Sequence, residues 1–153
     1  MRTPATPVLV AHRSRWLTLM LLAAAPMLLG MDTRKDNEIP EPSAHYRVKI
    51  TDRSGYETVV TDFSIDGDIF LGGQIGEGKL FIDLDRVQSV SFGEVTGDEI
   101  AGDITLNSGE ILSLKINKRL ECFGKTPYGH YKIGIQGVRQ IDVLEKQPGP
   151  VAR

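Results

Sequence analysis

Residues 78–84 (GKLFIDL) decide the fold, because residues 129–135 (GHYKIGI) repeat their pattern. Both stretches open with a glycine and then place apolar side chains at every second position. A period of two is typical of a β-strand with one buried face. The two stretches therefore predict equivalent strands, and they indicate that one motif occurs twice in the chain.

The correspondence extends on both sides of these stretches. Each copy of the motif has about 45 residues, which is below the size at which a hydrophobic core usually holds on its own. We therefore expect the copies, residues 46–92 and 100–143, to share one core within a single domain of residues 46–146. The landmarks Val87, Val90 and Phe92 correspond to Val138, Ile141 and Val143, Gly73 corresponds to Gly124, and Ser54-Gly55 corresponds to Ser108-Gly109.

The spacing of the apolar landmarks suggests how the copies meet. The step from Val87 to Val90 and then to Phe92 indicates a short turn or a β-bulge at the entry to a period-two strand. No convincing amphipathic helix is found in the domain. We predict an all-β fold, a pseudo-twofold β-sandwich or β-barrel made of two tandem strand repeats, with the landmarks meeting across the axis. Ile82 and Ile133 are expected in its core.

Local patterns place the strands and turns of the first copy. Tyr46, Val48 and Ile50 alternate with polar residues, as expected of a half-buried strand. Asp66-Gly67 predicts a hairpin turn, because glycine accepts the positive φ of a type I′ turn. The other expected strands are residues 56–63, 69–71 and 80–84, with a turn at residues 52–55 and a glycine-rich connection at residues 72–78.

Residues 1–30 differ in composition from the rest of the chain. A basic start without acidic residues precedes the apolar residues 16–30, which is the pattern of a secretory signal peptide. The apolar run is shorter than the roughly 20 residues that cross a bilayer comfortably. We predict a cleaved signal peptide, with an uncleaved N-terminal anchor helix or a buried helix as alternatives. Residues 31–45 are expected to form a polar linker, and residues 147–153 a disordered tail.

The end of the second copy carries a distinctive set of residues: TPYG at 126–129, followed by Ile133, Val138, Ile141 and Val143. This set resembles a loosely defined tandem β-strand repeat of bacterial envelope proteins of unknown function, in which a glycine-led strand precedes the ending I-x-x-x-x-I-x-x-I-x-[FV]. The resemblance covers most of residues 46–144. It implies an exported protein, periplasmic or envelope-associated, and no particular activity. The chain departs from the repeat where Asp83 and Gly134 replace its proline.

Acidic residues offer weak candidates for a metal site. Asp83 and Asp85 lie two positions apart and would share a face in a strand, where paired carboxylates can bind calcium or transfer protons. A charged, exposed strand edge is the simpler explanation. Asp62, Asp66 and Asp68 surround the predicted hairpin, but they lack the spacing of an EF-hand.

Other catalytic or ligand chemistry is poorly represented. His45, Cys122 and His130 lack the spacing of a zinc site, and Cys122 is expected to be a small apolar residue within a strand. Residues 72–76 (GGQIG) lack the Lys-Ser/Thr ending and the following helix of a phosphate loop. No serine lies in a nucleophile elbow. We therefore predict no enzyme activity, no catalytic residues and no cofactor.

Charge is divided unevenly along the chain. Residues 44–103 hold twelve acidic and five basic residues, whereas residues 104–153 hold four acidic and eight basic ones. Random drift of charge on solvent-exposed faces is one explanation. Charge complementarity is the other, either between the two copies or head to tail between molecules. The part that follows residue 30 has twenty acidic and fifteen basic residues, which argues against nucleic acid as a partner.

Together these observations favour a non-catalytic exported or envelope module that binds or scaffolds another macromolecule. Its partner would be an envelope protein or a second copy of the chain, and it would touch the membrane only through an uncleaved N-terminal segment. The alternatives are a small-ligand or calcium-binding domain and an accessory subunit of an envelope enzyme. Assembly predicts an apolar or charge-complementary surface, while a ligand role predicts a concave pocket with converging polar groups.

Overall fold

A computed structural model of the protein describes residues 39–148. The predicted signal or anchor segment, most of the linker and the end of the tail lie outside the described residues. Within the described part, no helix is long and apolar enough to cross a membrane. The fold is all-β, as predicted. Its elements are β1 (His45–Asp52), β2 (Glu57–Ile65), β3 (Phe70–Ile75), β4 (Gly78–Asp83), a 3₁₀ turn (Leu84–Arg86), β5 (Val87–Thr96), β6 (Glu99–Leu106), β7 (Ile111–Asn117), β8 (Glu121–Thr126), β9 (Gly129–Gly134), a second 3₁₀ turn (Ile135–Gly137) and β10 (Val138–Gln147).

The ten strands form one antiparallel sheet in the order β4-β3-β7-β6-β5-β10-β1-β2-β8-β9. This corrects the predicted sandwich or barrel. The strands belong to a single sheet, and that sheet is not closed, because among the described residues β4 pairs with β3 alone and β9 with β8 alone. Alternating strands with one buried face fit a sandwich, a barrel or a single curled sheet equally well, so the sequence pattern could not decide among them.

The strand order is symmetrical about the β5–β10 pair. Each strand has an equivalent five places along the chain, counting on from β10 to β1, so that β4 corresponds to β9 and β3 to β8. Equivalent strands lie at equal distances from the two ends of the sheet. The first half of the sheet contains β3 to β7, and the second half contains β8, β9, β10, β1 and β2. Pairing of β7 with β3 and of β2 with β8 therefore interleaves the N-terminal and C-terminal parts of the domain.

One hydrophobic core is shared by both halves of the sheet. Side chains such as Ile50, Leu71 and Ile104 have no exposed surface. A flat single sheet would leave both faces in water, so this degree of burial requires the sheet to curl around its own side chains. At the seam between the halves, Val90 pairs with Ile141. One pair of the apolar landmarks thus meets across the seam as predicted.

The predicted core residues Ile82 and Ile133 differ in burial. Ile82 is buried, as expected, whereas Ile133 is half-buried and packs against the core from its margin. The assignment of Ile133 to the core was therefore wrong. Gly134 follows Ile133 in the chain and Gly137 lies against it in space, and neither has a side chain to cover it.

The connection between β2 and β3 forms the predicted tight turn, in which Ile65 and Asp68 exchange two backbone hydrogen bonds of 2.9 Å, but the two strands do not continue as a paired hairpin. Asp66 and Gly67 both have a positive φ, of 52° and 92°, as a type I′ turn requires. However, β2 pairs along its length with β1 and β8, and β3 pairs with β4 and β7. The expected glycine-rich connection is also largely strand, because β3 continues to Ile75 and the turn follows at Gly76.

Short 3₁₀ turns precede β5 and β10, where the residue spacing predicted a turn or a bulge. Equivalent side chains hold both turns. Asn107, between β6 and β7, donates from its amide to the carbonyl oxygen of Asp85 at 2.7 Å. Arg53, between β1 and β2, donates from Nε to the carbonyl oxygen of Gln136 at 2.8 Å. Each contact joins residues that lie far apart in the chain.

Candidate functional site

The outer face of the first half of the sheet carries an aromatic cleft, which we define by Phe70, Gly72, Gly73, Phe81 and Leu120. Phe81 lies opposite Gly72 and covers it so closely that a Cβ there would be 2.8 Å from the ring. The rings of Phe70 and Phe81 meet edge to face, with their centroids 5.5 Å apart. Phe81 is still 62% exposed, so apolar surface stands in water near a sheet edge.

Charged side chains surround the aromatic cleft, whose volume is about 580 Å³. Asp98 lies 3.1 Å from the Arg119 guanidinium and 3.5 Å from the Lys118 ammonium. The positive charge of Arg119, followed by that of Lys118, holds the pKa of Asp98 below its usual value. Lys115 is 4.0 Å from Glu99. Because these charges pair with one another, the cleft offers apolar surface bounded by ion pairs.

The equivalent place on the second half of the sheet is closed. Phe123 on β8 and Lys132 on β9 face each other, as Gly72 and Phe81 do in the first half. The Lys132 ammonium lies 5.5 Å from the centre of the Phe123 ring and 2.8 Å from the Glu121 carboxylate. A cation–π contact and an ion pair within the chain thus cover the Phe123 ring. The two halves share a backbone arrangement and differ in surface chemistry.

The predicted carboxylate pair does not share a strand face. Asp83 is the last residue of β4, whereas Asp85 lies in the 3₁₀ turn that follows. Lys146 donates a hydrogen bond to Asp85 at 2.9 Å, and this bond lowers the pKa of Asp85. Lys146 also lies 5.6 Å from the ring of Tyr46, whose pKa is raised by burial. Asp85 therefore has a structural role in joining the first 3₁₀ turn to β10.

The aspartates around the β2–β3 connection have separate partners. Asp62 lies 2.6 Å from Nδ1 of His45 and 2.9 Å from Nζ of Lys125. Asp66 accepts a hydrogen bond from the backbone N–H of Glu121 at 2.8 Å. Within residues 39–148, no group of three or more His, Cys, Asp or Glu side chains is placed to hold a metal ion.

The His45–Asp62–Lys125 cluster lies in a second cleft, of about 750 Å³, where the two ends of the described chain meet. A His–Asp pair can activate a neighbouring nucleophile. The described residues that line this cleft include no Ser, Thr or Cys. The arrangement connects β1, β2 and β8 through one carboxylate, which is a structural function.

The remaining candidates are placed as follows. Cys122 lies in β8 and is fully buried, as predicted, and burial raises the pKa of its thiol to about 12. His130 is exposed on β9, and Asp68 is exposed at the aromatic cleft. Gly72 and Gly73 are strand residues of β3, so the segment forms no phosphate loop.

Sequence reasoning missed the aromatic cleft. One signal was available in the alternation of β4, where Phe81 stands between Lys79 and Asp83 on the side opposite the apolar Leu80 and Ile82. An aromatic residue on the polar side of a half-buried strand is a sign of exposed apolar surface. The sequence did not reveal that Phe70 would contact it.

The uneven charge persists in the folded protein with different boundaries. Residues 70–117, which contain β3 to β7, hold eight acidic and three basic residues. The strands of the second half, in residues 45–65 and 121–147, hold six acidic and seven basic residues. The first half of the sheet is therefore strongly acidic and the second nearly neutral.

A protein-family model described as "Uncharacterised protein" matches residues 42–146. The matched region contains all ten strands of the sheet except the last residue of β10. No curated protein and no solved structure matches the chain.

Proposed function

Since the chain belongs to a family of uncharacterised proteins, we propose its function from its own surface: a non-catalytic module that binds another protein through the aromatic cleft. The exposure of Phe81 is the observation that carries this proposal. Burying an aromatic side chain of this size contributes roughly 1.5–3 kcal/mol, and such residues are frequent centres of protein interfaces.

The comparison between the halves of the sheet supports this choice of surface. Where Lys132 covers Phe123 in the second half, no charged group covers Phe81 in the first, as far as the described residues extend. Glycine at position 72 leaves room for the ring, because a Cβ there would lie 2.8 Å from Cε1 of Phe81. An arrangement that keeps an aromatic ring fixed and exposed is suited to binding.

We also propose that the module is exported and works in the bacterial envelope, periplasmic or associated with the membrane. The basic and apolar N-terminal segment supports export, and the resemblance of residues 126–143 to envelope repeats supports the location. Duplication of one strand motif would explain the symmetrical strand order. In this view no catalytic residue, cofactor or nucleic acid is involved.

Site-specific photo-crosslinking in the producing cell tests the proposal. A photoreactive amino acid at position 81 should give a covalent adduct with a protein partner. The same amino acid at position 94, an exposed position of the central strand β5, is the matched control and should give little adduct. Equal labelling from both positions, or none from position 81, would contradict the proposal.

A small-ligand or calcium-binding domain is the second candidate, favoured by the volume of the aromatic cleft and its glycine floor. Thermal melting with and without millimolar calcium separates the cation from other ligands. A shift in melting temperature that Asp83→Asn abolishes would support a calcium site. An unchanged melting temperature would exclude calcium as the ligand.

A further inference from the structure

The two edge strands of the sheet are equivalent in position and opposite in charge. Each has six residues and one neighbouring strand within the described part of the chain. Residues 66–86, which include β4, hold five acidic and two basic residues, a net charge of −3. The equivalent residues 117–137, which include β9, hold one acidic and four basic residues, a net charge of +3.

We propose that the partner is a second copy of the chain, with β4 of one copy pairing with β9 of the next. This inference rests on the proposed function and names its partner. A free edge presents N–H and C=O groups that an added strand can satisfy. Because neighbours alternate in direction across all ten strands, β4 and β9 run in opposite directions. One copy can thus continue the antiparallel sheet of the other.

The side chains of the outer face indicate a register. Phe81 and Asp83 are exposed on β4, and His130 and Lys132 are exposed on β9. Placing Phe81 opposite Lys132 of the other copy brings Asp83 opposite His130. The Lys132 ammonium can then contact the Phe81 ring, as it contacts Phe123 within its own copy. The register buries the exposed aromatic ring and places the Asp83 carboxylate opposite the His130 imidazole, which can donate a hydrogen bond to it.

Charge also selects which edges meet. Two copies of the segment of residues 66–86 would each bring a net charge of −3 and repel, as would two copies of residues 117–137 with +3 each. Charged side chains on short edge strands normally prevent one sheet from pairing with another. Here the electrostatic repulsion acts between like edges, and the attraction acts between β4 and β9. Since the contact joins two different surfaces, it produces rings or filaments rather than a twofold dimer.

Sedimentation of the purified full chain, as the host cell processes it, tests the inference. The mean mass should rise with protein concentration and fall as salt increases from about 0.02 to 0.5 M, because salt screens the edges. Asp83→Lys and His130→Glu should each weaken self-association at least about tenfold. A mixture of the two variants should recover assembly, because each supplies the edge that the other needs.

Glu94→Lys is the matched control, since it makes the same charge change at an exposed position of the central strand β5. It should leave assembly within about twofold of wild type. If Glu94→Lys weakens assembly as much as Asp83→Lys, net charge is the cause and the edge assignment is wrong. A mixture of Asp83→Lys and His130→Glu that stays monomeric would overturn the proposed pairing. Circular dichroism melts verify that the variants fold.

The outcomes also separate this inference from the proposed function. Wild type that is monomeric at all concentrations, together with an adduct of position 81 to a different protein, removes the second copy as the partner and leaves the binding function. An adduct between two copies supports both. Monomeric wild type with no adduct at position 81 overturns both.

Discussion

At the scale of single residues, Asp62 is the most constrained position of the sheet. Its φ of 50° is in the left-handed region, which few residues other than glycine adopt. Burial raises the pKa of Asp62, but the hydrogen bonds from Lys125 and His45 outweigh this effect and hold the pKa below its usual value. The strain is thus offset by ion pairs that connect three strands.

Replacing Asp62 with Asn should lower the free energy of unfolding by about 1–2 kcal/mol at neutral pH. Asn also tolerates a left-handed backbone, so the loss reports the ion pairs. Because the folded pKa is below the unfolded value of about 3.9, the stabilisation is present above that value and disappears as pH falls through the folded pKa. Urea titrations at pH 7 and about pH 3 measure the difference, which should shrink in acid.

The control for this prediction is Glu57→Gln, which removes an exposed partner of Lys49. Exposed ion pairs contribute roughly 0–1 kcal/mol, so this variant should unfold almost as the wild type does. A loss at Asp62→Asn that is equally large at both pH values would show that the ion pairs are not its source.

Replacing Ile82 with Ala should lower the free energy of unfolding by about 2–5 kcal/mol, the range for removing a large buried side chain. Ile133→Ala should cost clearly less, because Ile133 is half-buried at the margin of the core. The urea midpoints of both variants measure this. Similar losses at the two positions would contradict the difference in their burial.

At the scale of elements, glycines decide how closely neighbouring strands approach. A Cβ on Gly124 of β8 would lie 2.6 Å from Cβ of Val60 on β2, and Val60 is completely buried. Gly73 of β3 has the same relation to Leu114 of β7, at 2.8 Å. These are the two strand pairs that interleave the N-terminal and C-terminal parts of the chain. Glycine is therefore required at these positions, where β8 pairs with β2 and β3 pairs with β7.

Gly124→Ala should destabilise the protein by about 1–3 kcal/mol, because the added methyl group overpacks a buried contact. Gly134→Ala, in the neighbouring strand β9, is the control. A Cβ there meets nothing within 4 Å and the backbone φ is −65°, so this variant should be neutral or slightly more stable. Thermal melts of both variants test the pair, and a neutral Gly124→Ala would refute the close approach.

At the scale of the whole molecule, the interleaved topology makes the two parts of the chain dependent on each other. Strand β7 pairs with β3, and β8 with β2, so each part lacks some of the neighbours that its own strands need. All ten strands contribute to one core. Cooperative folding of the complete domain follows from this arrangement.

Residues 100–146 expressed alone should therefore fail to melt cooperatively. Mixed with residues 39–99, they should regain β structure as a one-to-one complex. Circular dichroism of each fragment and of the mixture measures both effects. Cooperative melting of residues 100–146 as a monomer would show that a half can bury enough apolar surface by itself, and the shared core would not be needed.

The aromatic cleft lay beyond the reach of sequence reasoning for a physical reason. Phe70 and Phe81 are brought together by the pairing of β3 with β4, and Leu120 reaches the cleft from the β7–β8 connection. Residue patterns report which side of a strand is buried, but not which distant strand lies beside it. The expectation that Asp83 and Asp85 share a strand face was wrong for a similar reason, because β4 ends at Asp83 and Asp85 lies in the following 3₁₀ turn, bonded to Lys146.

The amino-acid sequence alone predicts the all-β class, the approximate strands and turns, and the apolar landmarks, of which Val90 and Ile141 meet at the β5–β10 seam. These are local properties, since alternation and positive φ are set by neighbouring residues. The three-dimensional structure was needed to show that β2 pairs with β8, that β3 pairs with β7, and that all ten strands form one sheet. Strand partners are chosen by packing between residues far apart in the chain, which no local pattern encodes.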